Sequence, residues 1–435
     1  MVLASVHQLN AIMLRKYTGS LIMLLVRIGS SLAINKLFAY FLGTAGITTL
    51  AHLQNLFSIV TLVPSEGIGK GLVKYIADQQ VSKNFRRDFI VAGLVWHILI
   101  WFICILSFLV LINPFFRIFP SYWSRLQWFT MIAAASFGQV LYLYSSALLL
   151  ASQKIKVYLI CQMISSVLVL GGVLVAISTK SLAYSLLGFI SGQGLSIGVI
   201  LLVSKFKHIS LSGISADLWQ YVNQGVQQQQ LAQAFVALGK YSLMALSVVI
   251  FGRTVDFFVR QFAVHEFGIQ ATGLWQSVVR TSELYTQVFT ALLGVVYFPG
   301  LAAVINHQEG VNKILRQAIL YWLPIILLGL IGVYLFRFQV LYLLFDQRFL
   351  AGAVFFKWQL TGDFFILMSY FFAYILLGKA RIRLFILLQA ISAALYIMAV
   401  FFFYKSLGIE ALPLAYFIRS AGYAICLIIF TAKEL

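Results

Sequence analysis

Apolar runs of eighteen or more residues recur from one end of the chain to the other, separated by short polar segments. A helical run of that length crosses the hydrocarbon core of a bilayer, about 30 Å thick. The pattern predicts twelve spans, at roughly 18–41, 47–75, 89–112, 127–150, 156–177, 182–203, 241–262, 272–298, 317–336, 355–378, 382–404 and 408–431. The second carries Pro64 with Gly67, Gly69 and Gly71, which predicts a kink or break in its inner half. The first run, from about Thr18 to Phe41, is too long for a signal h-region and lacks a cleavage site, so a span is expected there.

Composition agrees with an all-α integral membrane protein. Of 435 residues, 62% are hydrophobic and 10% charged, too few charges to coat a soluble protein of this length. The formal charge of +19 is scattered among short loops, so no basic domain exists to grip a nucleic acid. One alternating set of loops holds Arg15, Lys16, Lys83, Arg86, Arg87, Lys154, Lys156, Lys205, Lys207, Lys313, Arg316, Lys379, Arg381, Arg383 and Lys433. The opposite set holds only Arg117, Arg125, Lys180, Arg337, Arg348 and Lys405. The richer side is cytoplasmic, which places both termini there. Cys104, Cys161 and Cys426 fall inside apolar runs and read as small core residues.

The two halves of the chain look like copies. Residues 151–162 resemble 378–389, and Lys154/Arg381, Lys156/Arg383, Gln162/Gln389, Ser165/Ser392 and Gly46/Gly273 share one offset of 227 residues. Six spans per copy give both halves the same topology, which predicts two pseudo-symmetric six-helix lobes around a central cationic cavity. The expected organisation is a first lobe at 1–207, a cytoplasmic linker or surface helix at 208–240 containing the run Gln227–Gln230, and a second lobe at 241–435.

Charges within spans supply the candidate chemistry, because a charge at membrane depth costs several kcal/mol unless it is paired or faces water. Span seven holds Arg253, Asp256 and Arg260, whose spacing places them on one helical face. In span eight, Gln276, Arg280, Glu283, Gln287 and Thr290 fall within roughly 80° of one face at about 100° per residue. Span one contributes Arg27, with Ser31 and Asn35 on the same side; Lys36 points away from Arg27 and either lines the cavity or snorkels to the interface. Span two aligns His52, Asn55, Glu66 and Lys70, and span ten aligns Gln359, Asp363, Tyr370 and Tyr374. Arg419 in span twelve stands alone and reads equally as a structural contact or a ligand, while His97 reads as a core histidine.

These residues predict a lumen with more arginine than carboxylate. Guanidinium forks match phosphate geometry and stay charged at any working pH, so the expected substrate is anionic and phosphorylated, held by Arg27, Lys36, Arg253, Arg260 and Arg280. Asp256, Glu283 and Asp363 either balance these charges or take a coupling proton or Na⁺; no other cofactor is expected. The chain carries no Walker loop and no His/Cys metal spacing, which predicts a transporter rather than an enzyme. Two other readings are a multidrug or small-molecule exporter and a membrane polysaccharide polymerase or glycosyltransferase. A cationic lumen disfavours the first, and short external loops disfavour the second.

Several segments carry a family resemblance. Residues 25–29 (Leu-Val-Arg-Ile-Gly), Lys36 with Leu37, and 71–77 (Gly-Leu-Val-Lys-Tyr-Ile-Ala) resemble the amino half of bacterial Wzx-type O-antigen and lipid III flippases. Residues 273–276 (Gly-Leu-Trp-Gln), Phe298 with Pro299, and 358–363 (Trp-Gln-Leu-Thr-Gly-Asp) resemble the carboxyl half. That family is a branch of the multidrug/oligosaccharidyl-lipid/polysaccharide exporter superfamily. The resemblance implies alternating access in the bacterial inner membrane. The implied cargo is an undecaprenyl-diphosphate-linked oligosaccharide moved to the periplasmic leaflet, alongside a polysaccharide polymerase and a chain-length regulator. Arg27, Lys36, Arg260, Glu283 and Asp363 lie in matching segments; Arg253, Asp256 and Arg280 rest on helical phase alone.

Overall fold

The computed structural model describes residues 2–62, 65, 67–77, 83–110, 118–152, 154–206, 228–293, 297, 301, 304–305, 307–379 and 381–432, with side chains at most positions from Ile22 onward. The described residues form helices and no strand. In chain order they are α1 (Val2–Leu62), α2 (Ile68–Ala77), α3 (Lys83–Val110), α4 (Arg125–Ala151), α5 (Ile155–Ile177), α6 (Leu182–Gly194) and α7 (Ser196–Phe206). After these come α8 (Gln228–Val248), a π-helical turn (Val249–Thr254), α9 (Val255–Leu292), α10 (Gln308–Leu335), α11 (Arg337–Leu344) and a 3₁₀ segment (Gln347–Phe355). The chain closes with α12 (Phe356–Gly378), α13 (Ile382–Leu407), a 3₁₀ turn (Gly408–Glu410) and α14 (Ala411–Ala432).

Among the described residues, eight stretches are long and apolar enough to cross a membrane. Two of these, Ile22–Leu62 and Ile382–Thr431, each contain two helices, divided at Gly43 and at Gly408–Glu410. The charged helices on either side of Gly268 complete the twelve expected segments. Within α1, Gly43 takes φ 67° and ψ −158°; within α9, Gly268 takes φ 82° and ψ 161°. Both are backbone conformations that favour glycine. Each half of the chain therefore joins its first two spans by one glycine break instead of a loop, two residues short of the sequence offset. Pro64, Glu66 and the side chain of Lys70 lie outside the described residues, as do 208–227 of the expected linker. Residues 228–240 are helical, part of α8.

The chain divides into two compact units, Met1–Leu37 with Leu56–Leu246, and Phe38–Asn55 with Ser247–Leu435. In the first, small residues bring backbones into contact. A Cβ on Gly172 of α5 would lie 2.5 Å from the Gly188 carbonyl oxygen of α6, and one on Gly138 of α4 would lie 2.3 Å from that of Gly194. Such approach maximises van der Waals contact where lipid removes any hydrophobic advantage of association. Ser165 and Ser196 share a buried hydrogen bond at 2.5 Å beside a core of Tyr142, Leu149, Cys161, Val199 and Ile200. His97 is buried, its Nδ1 2.6 Å from the Gly93 carbonyl oxygen and its ring edge-on to Tyr144.

In the second unit the segment Phe38–Asn55 packs on α9. Gly273 lies so close that a Cβ there would sit 2.2 Å from the Thr44 carbonyl oxygen, and Thr48 Oγ1 donates to the Ile269 carbonyl at 2.9 Å. Just before the Gly43 break, Arg348 Nη2 donates to the carbonyls of Ala39 at 3.0 Å and Tyr40 at 2.7 Å, while Asp346 holds the same guanidinium at 2.7 Å. This satisfies carbonyls that the break leaves without a helical partner, and places a cation at a helix C-terminus. Elsewhere many large apolar side chains point outward. In α10 the buried side chains are Val311, Leu315, Ile326 and Leu330, and beyond it Leu343 and Phe402 are 74% and 78% exposed. Such surface is stable against lipid, not water.

The neighbouring glycines of α5 give a direct check on the packing. Gly172→Ala should lower the thermal unfolding midpoint, with an overpacking cost of about 1–3 kcal/mol. Gly171→Ala, with nothing within 4 Å of its Cβ, should leave the midpoint unchanged or raised. Thermal melts of the detergent-solubilised protein measure both, and equal midpoints would contradict the contact.

Candidate anion-binding site

The charged residues of spans seven and eight lie within the second unit. Span seven is not a uniform α-helix, since a π turn over Val249–Thr254 separates α8 from α9. Gly252 and the β-branched run Val248–Ile250 are weak α-formers, and π turns recur at functional sites. Arg253 leaves from this turn, 46% exposed, with its guanidinium 4.0 Å from Glu283 Oε1. The other oxygen of Glu283 accepts from Arg280 Nη1 at 2.8 Å, an i,i+3 pair along α9.

Asp256 and Arg260, expected on one face with Arg253, turn to different neighbours. Asp256 Oδ1 accepts from Arg419 Nη1 of α14 at 2.9 Å. Arg260 is buried, and its Nη1 donates to the Ala51 carbonyl at 3.0 Å while its Nε has no hydrogen-bond partner. Three separate elements meet the three side chains. The groups nevertheless form one electrostatic cluster. Arg260 interacts with Arg280, Asp256 and Glu283, and Glu283 interacts with all of Arg253, Arg260 and Arg280. Four arginines thus face the two carboxylates Asp256 and Glu283.

Arg419, alone in the sequence, has partners on two helices beside its own. Its Nε donates to Ser392 Oγ at 3.2 Å and its guanidinium lies 5.2 Å from the centre of the Tyr396 ring, both on α13. A stacked, paired guanidinium of this kind is well held. Asp363 of α12 is fully buried, and its hydrogen-bond partners among the described residues are neutral. Its Oδ2 accepts from Ser282 Oγ at 2.7 Å and from the Tyr285 hydroxyl, and its Oδ1 accepts from Tyr416 at 2.9 Å and Gln359 Nε2 at 3.5 Å. Tyr370 interacts electrostatically with Asp363, Arg419 and Arg253, which joins this cage to the arginine cluster.

The polar stripe of span eight runs from buried Gln276, whose amide atoms lack hydrogen-bond partners, to exposed Gln287. Arg27 and Lys36 belong to the first unit, where Arg27 is exposed within electrostatic reach of Tyr158 and Lys36 is half-buried. Sequence reasoning missed Ser282, Tyr285 and Tyr416 as partners of Asp363, and Ser392 and Tyr396 as partners of Arg419. The available signal was the polar pair Tyr416 and Arg419, one turn apart in an apolar helix.

The duplication shows that this chemistry is particular to the second copy of the repeat. At the offset of 227 residues, Asp256, Arg280, Glu283, Asp363 and Arg419 correspond to Gly29, Leu53, Leu56, Ser136 and Gly192. Where Gly192 lets backbones touch, with a Cβ there only 2.6 Å from the Val169 Cα, Arg419 fills the equivalent place with a charge.

No family model matches the chain. It is 23% identical to the lipid III flippase of Escherichia coli (strain K12) over 368 residues, 84% of this chain and 85% of that protein, and equally to the lipid III flippase of Shigella flexneri. Among solved structures it resembles a multidrug resistance MATE family transporter of the MOP superfamily in an inward-facing conformation. That match has a TM-score of 0.69 and 15% identity, covering 94% of this chain and 98% of the other. It also resembles the lipid II flippase MurJ, with a TM-score of 0.64 and 15% identity over 97% of this chain and 87% of the other. The chain therefore has the fold of MOP-superfamily transporters and is similar over most of its length to lipid III flippases.

Proposed function

We propose that the protein is a flippase that moves a polyprenyl-diphosphate-linked oligosaccharide across the bacterial inner membrane, from the cytoplasmic to the periplasmic leaflet, by alternating access. The observation that carries this reading is the excess of arginine over carboxylate in the second unit, with Arg253 exposed and only loosely held by Glu283. A polyprenyl diphosphate brings two phosphoryl groups, and guanidinium is the side chain best matched to them. An exposed charge on a membrane-depth helix is stable only beside water or a charged ligand. The similarity to lipid III flippases supports the same cargo class. Solved transporters of this fold include an inward-facing and an outward-facing form, which supports alternating access. In this reading both termini are cytoplasmic, Arg27 and Lys36 are further candidate phosphate-binding cations, and a polymerase with its chain-length regulator consumes the delivered glycan.

Asp363 is the proposed site of a coupling proton or Na⁺, because its ligands are neutral hydroxyl and amide groups that leave its charge uncompensated. Asp363→Asn keeps the shape but not the charge, and its amide nitrogen donates where a carboxylate oxygen accepted. In proteoliposomes it should bind the lipid-linked glycan yet lose the stimulation of transport by a pH or Na⁺ gradient. An unchanged response to both gradients would remove Asp363 from the coupling role.

Deletion of the gene should make a lipid-linked glycan accumulate on the cytoplasmic face, and the wild-type chain should clear it. Loss of one charge-assisted contact costs about 1.5–3 kcal/mol. Arg253→Ala should therefore weaken binding roughly ten- to hundredfold and restore clearance poorly. If Arg253→Ala and Arg27→Ala both clear the glycan like wild type, the arginines do not hold the diphosphate. Since a cationic site repels cationic drugs, expression in a pump-deficient strain should confer no resistance to them; resistance would favour a multidrug exporter.

A further inference from the structure

Two carboxylates of the second unit lie on different helices, Asp256 on α9 and Asp363 on α12, yet both are held from one turn of α14. Tyr416 donates to Asp363 Oδ1 at 2.9 Å, and Arg419, three residues later, donates to Asp256 Oδ1 at 2.9 Å. The turn that carries them has little freedom. Gly362, beside Asp363, admits the Tyr416 ring so closely that a Cβ there would lie 2.6 Å from Tyr416 Cδ1 and 3.1 Å from the Phe417 Cα. On the far side, Ser392 and the Tyr396 ring fix the Arg419 guanidinium from α13. We infer that Tyr416 and Arg419 are positioning residues, which transmit the state of Asp363 through α14 to Asp256 and so to the arginine cluster.

The physical step is a change of hydrogen-bond direction. A carboxylate accepts from Tyr416, Ser282 and Tyr285 together, whereas a carboxyl group that has gained a proton is also a donor, and one of these hydroxyls must then turn or withdraw. Ser282 and Tyr285 sit on α9 beside Glu283, while Tyr416 is the partner contributed by α14. A shift of Tyr416 moves Arg419 with it, because the two share a helical turn. Asp256 then loses or gains its partner, which alters the number of arginine charges left for a phosphate. In the first unit the equivalent of Arg419 is Gly192 and the equivalent of Asp363 is Ser136, so that half has no corresponding link.

The inference rests on reading the arginine cluster as a diphosphate receptor, and its test separates the two. Inorganic pyrophosphate is titrated by calorimetry into the purified full-length protein, as wild type, Asp363→Asn, Tyr416→Phe and the double variant. Asp363→Asn should change pyrophosphate affinity about fivefold or more, the range of typical site-to-site coupling. In the Tyr416→Phe background the same substitution should change it little. An Asp363→Asn effect that is absent, or equally large in both backgrounds, overturns the inference. If wild type binds no pyrophosphate, the diphosphate reading fails, and the inference is decided instead by thermal melts of Asp256→Asn, Asp363→Asn and their combination. Midpoint shifts that do not add would sustain the link between the two carboxylates, and additive shifts would overturn it.

Discussion

The cost of holding a charge away from water governs the second unit. Removing one partner from a buried ion pair is far more damaging than the pair's own net contribution, because the remaining charge is stranded. Asp256 and Glu283 are therefore each committed to an arginine, Arg419 and Arg280, and these commitments fix how α9 lies against α14 and along its own length. Arg260 turns to a backbone carbonyl because the nearby carboxylates are taken. Arg253, last in this order, keeps only a long contact and remains available. The exposed cation that suits a phosphorylated cargo is thus what remains once the structural charges have been matched.

The duplicated scaffold makes this division visible. The two halves share span order, the glycine break between their first two spans, and a serine at the same position of the penultimate span. They differ in what the scaffold carries. Gly192 lets two backbones of the first unit close on one another, and the corresponding place in the second unit carries Arg419. A fold that closes by van der Waals contact in one half can hold charges in the other without changing topology.

Much of this was legible in the sequence. Span positions followed from apolar run length, and the ends of spans five, ten and eleven lie within a few residues of α5, α12 and α13. The charged residues of spans seven, eight and ten stood out because lipid excludes them. Their partners did not, for a physical reason: helical phase tells which face a side chain occupies but not which helix meets that face. Arg253, Asp256 and Arg260 share a phase and yet point to Glu283, Arg419 and Ala51. The π turn was hidden for a related reason, since an added residue per turn leaves no mark on apolar content. The hydroxyls around Asp363 were hidden because serine and tyrosine are unremarkable in membrane helices until a carboxylate is placed beside them.

The membership of Phe38–Asn55 in the second unit bears on how the chain is made. This segment emerges early, carrying Thr48, Thr49, His52 and Asn55, all buried in the finished protein. Its partners, Ile269, Gly273, Arg260 and Arg348, are synthesised some two hundred residues or more later. During that interval a polar stretch of the second span must wait in the bilayer or the insertion machinery without its permanent neighbours. The first half of the chain made alone would keep that stretch exposed for good. Assembly is therefore sequential but not modular, with the second unit completed by a piece of chain laid down before most of the first.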